Sequence, residues 1–274
     1  MAIKVDAPEE KEAKAVNYPK GFEKRFERAM TQMIDLMYQQ FENQAINELN
    51  KTTIEKFEDA KNTQIGNYAE VFKKLSARAV RKIKKRFDNK RIKKLTSNIL
   101  SALTRQTKSE LYNSISVATG ISQEELIANE NINPQTNALM AETEQWVQRL
   151  RDDNLNEMVA TTLRQMALGN DIQGVISEYG KLKKKSRNNA KFVARQQLAT
   201  YNSLLNKTRY QNMGIEKAIW VTAKDERVRP SHAKREGKVF DLSKGLPIPS
   251  DKRPLLPGVD WNCRCTYKPI IPAE

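Results

Sequence analysis

Glycine and proline are spaced unusually far apart in the first half of this chain. Neither residue occurs between Gly21 and Gly66, nor again between Gly66 and Gly120. Segments of that length without a helix breaker, rich in Lys, Glu, Gln, Leu and Ala, favour long α-helices. Apolar residues at three- and four-residue steps, beginning with Phe22 and Phe26, add the period of an amphipathic helix. The chain is therefore predicted to be mainly α-helical.

Changes in composition and in the pattern of apolar residues divide the chain into three regions. Residues 1–20 are charged, contain two prolines and show no period, so we expect a flexible N-terminal arm. Residues 21–213 are predicted to form an elongated body of long helices, with a basic helix over 71–95. Beyond this body, short apolar runs alternate with turn residues. They predict a small C-terminal α+β module over 214–274, for which zinc is a candidate stabiliser.

Shorter elements are predicted inside these regions. A helix is expected over 136–168, a short one from Asp171 to about Tyr179, and a last long one over about 186–213. The run over 218–221 reads as a strand that opens the module.

The charge balance limits the classes of partner. The net charge of +15 favours a polyanion: nucleic acid, an acidic protein surface or an anionic membrane. No segment approaches the roughly 20 apolar residues of a spanning helix, and the N-terminal segment lacks the apolar core of a signal peptide. We therefore expect neither membrane insertion nor secretion.

Residues 71–95 carry most of the excess charge. They contain twelve Lys or Arg against one acid, Asp88, which gives a net charge of +11. The apolar residues between them keep a helical spacing, so one face can pack while the others present charge. Such a surface neutralises DNA phosphates without reading base sequence, although a solvated helix face has the same pattern. The candidate nucleic-acid-binding residues are Lys73, Lys74, Arg78, Arg81, Lys82, Lys84, Lys85, Arg86, Lys90, Arg91, Lys93 and Lys94.

Two further polar features each have two possible interpretations. The basic run over 181–187 is either a second anion-binding patch or a loop between helices. Arg195, Asn202 and Arg209 recur every seven residues and so fall near one another on a helix. This stripe either docks the C-terminal module by hydrogen bonds or is an exposed polar face.

The only histidine and the only two cysteines of the chain lie close to its C-terminal end. They are His232, Cys263 and Cys265, and Asp225 precedes the histidine by seven residues. Imidazole, thiolate and carboxylate are all zinc ligands, and four of them close a tetrahedral shell. We therefore predict a structural zinc site at Asp225, His232, Cys263 and Cys265. The alternative is that the cysteines are small buried apolar residues and that hydrogen bonds hold the histidine.

A catalytic alternative uses the same histidine. With His232 as general base beside a metal, the chain would be a metal-dependent nuclease. The chain has no second histidine and no acidic cluster for magnesium, so we predict no catalytic residue and no enzymatic activity. A third hypothesis is that the chain is a general nucleic-acid-binding protein of the host, and composition alone does not exclude it.

Motifs over residues 190–270 occur in a specific order. They are Ala194-Arg195 with Asn202, Tyr210 with Gly214, Trp220, Asp225 to His232, Gly237, Pro257-Gly258, and Asn262-Cys263-Arg264-Cys265. This order resembles the phage minor head protein family, also called the head morphogenesis family, after the Mu F protein and the SPP1 gene 7 product. One departure from the family pattern is that Gln196 and Gln197 stand where many family members have a short motif with an acidic residue.

The resemblance implies a protein built into the head of a tailed phage. Such a protein binds the portal protein and packaged double-stranded DNA, with scaffold or major capsid protein as further candidate partners. Its role lies in head assembly or in genome packaging and ejection. Its place is the virion interior, and the host cytoplasm during assembly. Members are not established enzymes.

Overall fold

The computed structural model of the chain describes residues 9–51, 65–128, 130–168 and 172–273. Long helices dominate, followed by a small strand-containing module, which confirms the predicted fold class. The first helix continues directly into a π-helical turn, Glu42–Ile46. The helices are α1 (Lys20–Phe41), α2 (Ile65–Arg86), α3 (Asn89–Thr119), α4 (Gln123–Ala128), α5 (Asn133–Ala167), α6 (Ile172–Asn212) and α7 (Pro230–Ala233).

Short strands form two antiparallel sheets in the described residues. The larger sheet has the order β1-β6-β2-β3, and β4 and β5 form a separate two-stranded sheet. In the larger sheet Trp220 lies opposite Tyr267, and Ala218 lies opposite Phe240. The strands are β1 (Lys11–Glu12), β2 (Lys217–Val221), β3 (Val239–Asp241), β4 (Leu246–Ile248), β5 (Asp251–Leu255) and β6 (Thr266–Ile271).

The chain divides into two compact units. Of the described residues, those within 1–26, 96–143 and 194–274 form the first unit, and those within 27–95 and 144–193 form the second. These units do not follow the predicted boundary at residue 214, although helix α6 ends just before it.

The core of the first unit explains this difference. Apolar side chains of the larger sheet, among them Trp220 and Phe240, belong to one buried cluster with Leu111 and Ile115 of α3 and Tyr210 of α6. A module of this size has too little apolar material to bury its sheet alone. The helices therefore supply the other side of its core.

The predicted N-terminal arm is partly ordered. Residues 1–8 lie outside the described residues. Lys11 pairs with Ile271 at the edge of the larger sheet, and Ala13 and Val16 are buried in the core of the first unit. The flexible-arm prediction therefore does not hold for residues 11–16, because backbone pairing with β6 and the burial of Ala13 and Val16 hold this segment.

The second unit has an aromatic core. The Tyr179 ring lies 4.9 Å from that of Tyr38 and 6.0 Å from that of Phe41. Phe41 also meets Phe72 edge to face at 6.3 Å. The Tyr38 hydroxyl is 2.7 Å from the Ser186 hydroxyl, so its polar end is satisfied inside the core.

The basic segment forms two helices rather than the single helix predicted over 71–95. Helix α2 ends at Arg86 and α3 begins at Asn89. The Asp88 carboxylate accepts the backbone N–H of Arg91 at 2.8 Å, which is the hydrogen bond of an N-cap. Arg151 donates to the Phe87 carbonyl at 2.8 Å and to the Asn89 side chain at 3.0 Å, and so closes the break.

Helix α6 is also longer than predicted. It runs unbroken through Gly180 and through the basic run 181–187, so this run is not a loop between two helices. Leu182 and Ser186 are buried within it, and their packing continues the helix where the sequence suggested a gap. Asp171, the predicted start of the short helix, lies outside the described residues.

Helices of the described residues are too polar or too short to cross a bilayer.

Candidate metal centre

Three of the four predicted metal ligands meet in the first unit. His232 lies on α7, which begins at Pro230, a residue suited to the first turn of a helix. Cys263 and Cys265 lie in the turn before β6. His232 Nδ1 is 3.4 Å from Cys263 Sγ and 3.7 Å from Cys265 Sγ, and all three side chains are buried.

These separations fit a zinc ion. Zinc–nitrogen bonds of about 2.0–2.1 Å and zinc–sulfur bonds of about 2.3 Å at a tetrahedral angle place the nitrogen and sulfur about 3.5 Å apart. The two observed nitrogen–sulfur distances lie on either side of that value. The donor set, one imidazole and two thiols, is also one that zinc favours. A metal held here would supply a positive charge that keeps both sulfurs as thiolates.

A buried carboxylate orients the histidine. Asp260 Oδ2 lies 3.1 Å from His232 Nε2, the ring nitrogen that does not face the sulfurs. Burial alone would raise the pKa of Asp260, but hydrogen bonds from the Trp261 backbone N–H and from His232 lower it. The carboxylate therefore stays ionised and favours the tautomer that leaves Nδ1 available to a metal. Asp260 was not among the residues predicted from the sequence.

The electrostatics of the cysteine pair favour one thiolate even without a metal. Hydrogen bonds from the Cys265 thiol and from His232 lower the pKa of Cys263 to about 5, against the effect of burial. The hydrogen bond to Cys263 and burial raise the pKa of Cys265. The hydrogen bond with Cys263 raises the pKa of His232, and burial opposes this.

Backbone and indole N–H groups surround the sulfurs. The Gly258 backbone N–H donates to Cys263 Sγ at 3.3 Å. The indole N–H of the buried Trp220 and the Ala223 backbone N–H lower the pKa of Cys265 and so favour its thiolate form. Donors around sulfur stabilise thiolate ligands, so the surroundings fit a metal–thiolate site.

The fourth predicted ligand, Asp225, lies apart from this cluster. Its carboxylate accepts the Arg227 backbone N–H at 3.2 Å and lies 3.7 Å from Arg264 Nη1. It is not among the side chains whose ligand atoms lie within 4.8 Å of one another. The prediction that Asp225 completes the shell therefore does not match the structure, because the carboxylate is held in a turn by its own arginine neighbours.

Two polar residues of α6 contact the turn that holds the cysteines. Gln196 donates to the Val259 carbonyl at 2.9 Å and accepts the Asn262 backbone N–H at 2.8 Å. Arg195 Nη1 lies 3.3 Å from Asn262 Oδ1. Asn262 has a φ of +53°, and the two bonds from Gln196 and Arg195 help to hold that uncommon conformation. Arg195, one member of the predicted polar stripe, therefore does dock the module, together with its neighbour Gln196.

At the other end of the stripe, the contacts of Arg209 are with residues outside the C-terminal module. Arg209 is fully buried and donates to Glu130 at 2.8 Å, to the Thr107 hydroxyl at 2.9 Å and to the Thr104 carbonyl at 2.8 Å.

The candidate nucleic-acid surface lies in the second unit. All twelve basic residues predicted over 71–95 are exposed, whereas Phe72, Ala79, Ile83 and Ile92 between them are buried. Lys84 forms an ion pair with Asp152 at 3.2 Å. The helices thus pack their apolar face and leave the cationic side chains in contact with solvent.

The fold and the site define a helical protein with a small sheet that carries a buried Cys₂His cluster. Residues 144–268 match the family model described as Phage Mu protein F like protein. This confirms the resemblance predicted from the motifs and extends it into α5, well before the first of those motifs.

Two curated relatives match parts of the chain. An uncharacterized protein of Haemophilus influenzae is 28% identical over 208 residues, which cover 74% of this chain and 45% of that protein. An uncharacterized protein of Methanocaldococcus jannaschii is 41% identical over 69 residues, which cover 25% of this chain and 10% of that protein. The chain thus spans less than half the length of either relative. No solved structure matches the chain significantly.

Proposed function

We propose that this chain is a phage minor head protein that takes part in head morphogenesis. The observation that carries the proposal is the match of residues 144–268 to the Mu F-like family model. The portal protein is the proposed principal partner, with scaffold or major capsid protein as further candidates. The proposed location is the interior of the virion, reached from the host cytoplasm during assembly.

Packaged double-stranded DNA is the second proposed partner. Twelve exposed Lys and Arg side chains on α2 and α3 supply a dense positive surface in the second unit. Contacts of this kind go to phosphates and carry no sequence information. Such a surface suits a protein that must meet any part of a genome.

Zinc is the proposed metal of the first unit, in a structural role. His232, Cys263 and Cys265 would hold it, with Asp260 as the carboxylate behind the histidine. Both ring nitrogens of His232 are engaged, one toward the sulfurs and one by Asp260. This arrangement supports a ligand role for the histidine over the role of general base in a nuclease.

Quantitative mass spectrometry of phage particles tests the proposal. DNA-filled virions and empty precursor heads of the phage that encodes the chain would be compared, and the chain counted against the portal subunit. We expect a few copies in both particles. Absence from both would overturn the role in the head, and cutting of supercoiled plasmid with Mg²⁺ or Zn²⁺ would then test the nuclease alternative.

A further inference from the structure

A cavity of about 290 Å³ opens onto the candidate metal centre. His232, Cys263 and Cys265 form part of its wall, together with one carboxylate, that of Asp225. Four arginines also line it, so cationic side chains outnumber anionic ones in the wall. These arginines are Arg195, Arg227, Arg229 and Arg264.

Two buried carboxylates hold three of the arginines in place without lining the cavity themselves. Glu23 accepts Arg264 Nη2 at 2.8 Å and Nε at 3.2 Å, and it lies 3.5 Å from Arg195 Nε. Asp260 accepts Arg229 Nη1 at 2.6 Å. The guanidinium groups are thereby oriented before any ligand arrives, so binding would cost little side-chain entropy.

We propose that this cavity binds a phosphate-class oxyanion, supplied either as inorganic phosphate or as the terminal phosphate of a nucleic-acid strand. A single bidentate arginine satisfies a carboxylate, whereas a phosphate group carries up to two charges and three acceptor oxygens, which several guanidinium groups can share. The volume lies near the lower limit of about 300 Å³ for ligand pockets, so it suits one such group rather than a duplex.

This inference concerns the same site as the proposed zinc centre and deepens that part of the proposed function. The arginine contacts themselves are present without a metal, so the cavity and the metal can be tested separately.

Isothermal titration calorimetry of the full chain, with the zinc content of the same sample measured, provides the test. Sodium phosphate is expected to bind saturably at one site per chain, and sodium acetate to bind more weakly. Two short single-stranded oligonucleotides of the same sequence distinguish free phosphate from a strand's terminal phosphate as the ligand. One carries a 5′-phosphate and the other a 5′-hydroxyl. Tighter binding of the phosphorylated strand assigns the site to strand ends, and equal binding assigns it to free phosphate.

A matched pair of variants ties the binding to the cavity. Arg227 is 59% exposed and pairs with Asp225 two residues earlier, and Lys244 is 81% exposed, pairs with Asp241 three residues earlier and lies outside the cavity. We expect Arg227→Gln to weaken phosphate binding about tenfold, the loss typical of one charge-assisted hydrogen bond. Lys244→Gln should bind phosphate like the parent.

The outcomes separate the two hypotheses about this site. Zinc without saturable phosphate binding would overturn the cavity assignment and leave the metal proposal intact. Phosphate binding by a sample that holds no zinc would support the cavity and overturn the metal proposal. Equal losses in Arg227→Gln and Lys244→Gln would overturn the cavity assignment, because a general charge effect would then explain the binding.

Discussion

His232 Nε2 and Asp260 Oδ2 lie 3.1 Å apart in the buried interior of the first unit, although 28 residues separate them along the chain. The carboxylate fixes the ring so that Nδ1 faces the two cysteine sulfurs. Asp260→Asn should keep the shape but lose the charge that supports a metal-bound imidazole. Loss of such a carboxylate typically lowers metal affinity 10- to 100-fold. Competition for zinc with a chromophoric chelator measures the change, and Asp241→Asn, on β3, is the control that should match the parent.

Zinc content tests the ligand set directly. Protein purified without chelator should hold about one zinc per chain, because the proposed site is a single Cys₂His cluster. Cys263→Ser should lose most of this zinc and unfold at a lower temperature than the parent. Asp225→Asn should retain far more, since its carboxylate pairs with Arg227 and Arg264 rather than with the cluster. Equal zinc in Cys263→Ser and the parent would show that the site assignment is wrong.

Whether a site residue could be predicted from the sequence depends on how rare its residue type is in the chain. The Cys₂His cluster was predictable because these residue types are rare in the chain and their side chains share one chemistry. Asp260 and Glu23 were not, because aspartate and glutamate are common, and only tertiary packing distinguishes a buried carboxylate from a solvated one. Asp225 was misplaced for the same reason.

The helices show a similar division. Their existence follows from the long runs without glycine or proline, which local propensity decides. The positions where the helices begin and end do not follow from local propensity. Asp88 caps the start of α3 and so separates it from α2, whereas Gly180 lies inside α6 because the neighbouring side chains pack there. The sharing of one core by the C-terminal sheet, α3 and α6 depends on contacts distant in sequence, which no local pattern encodes.

Gly258 is expected to tolerate no side chain. Its φ is +84°, and an added Cβ would lie 3.1 Å from Ser203 Cβ and 3.2 Å from the Ala199 carbonyl oxygen. Gly237 also has a positive φ, +70°, but has open space around it. Gly237→Ala should therefore cost about 1–2 kcal/mol for the left-handed conformation alone. Gly258→Ala should cost more in the free energy of unfolding, measured by urea denaturation, and equal losses would refute the packing contribution.

Glu130 should make the first unit sensitive to acid. Burial by itself would raise the pKa of Glu130, but hydrogen bonds from Lys108 and Arg209 outweigh it and lower the pKa. Because the pKa is lower in the folded state, the ion pair stabilises the fold above the ordinary glutamate pKa of about 4.3. This stabilisation is lost as the pH falls through the lower, folded-state value.

Replacement of Glu130 tests that dependence. Glu130→Gln leaves the fully buried Arg209 without its carboxylate, and breaking such a pair costs about 3 kcal/mol at neutral pH. The variant should also lose less stability than the parent between neutral pH and acid. Urea denaturation at several pH values measures both effects. Glu124→Gln, at an exposed position on α4, is the control and should behave like the parent.

Salt dependence is the decisive property of the proposed DNA surface. Each phosphate contact releases counterions, so the logarithm of the binding constant should fall by about 0.9 per contact for each tenfold rise in salt. Fluorescence anisotropy with random duplex DNA measures that slope. Reversal of the charges in α2 should flatten it, because these exposed side chains are the proposed contacts. The residues changed to glutamate are Arg81, Lys82, Lys84, Lys85 and Arg86.

A matched control separates a local surface from total charge. Five exposed lysines of the C-terminal module, changed to glutamate, alter the net charge by the same amount without touching α2 or α3. These are Lys217, Lys234, Lys238, Lys244 and Lys252. If the basic helices bind DNA, the control should keep a slope close to that of the parent, because the proposed phosphate contacts on α2 and α3 are unchanged. Equal flattening in both variants would mean that net charge alone drives binding, and an affinity independent of salt would remove the DNA contact from the proposed function.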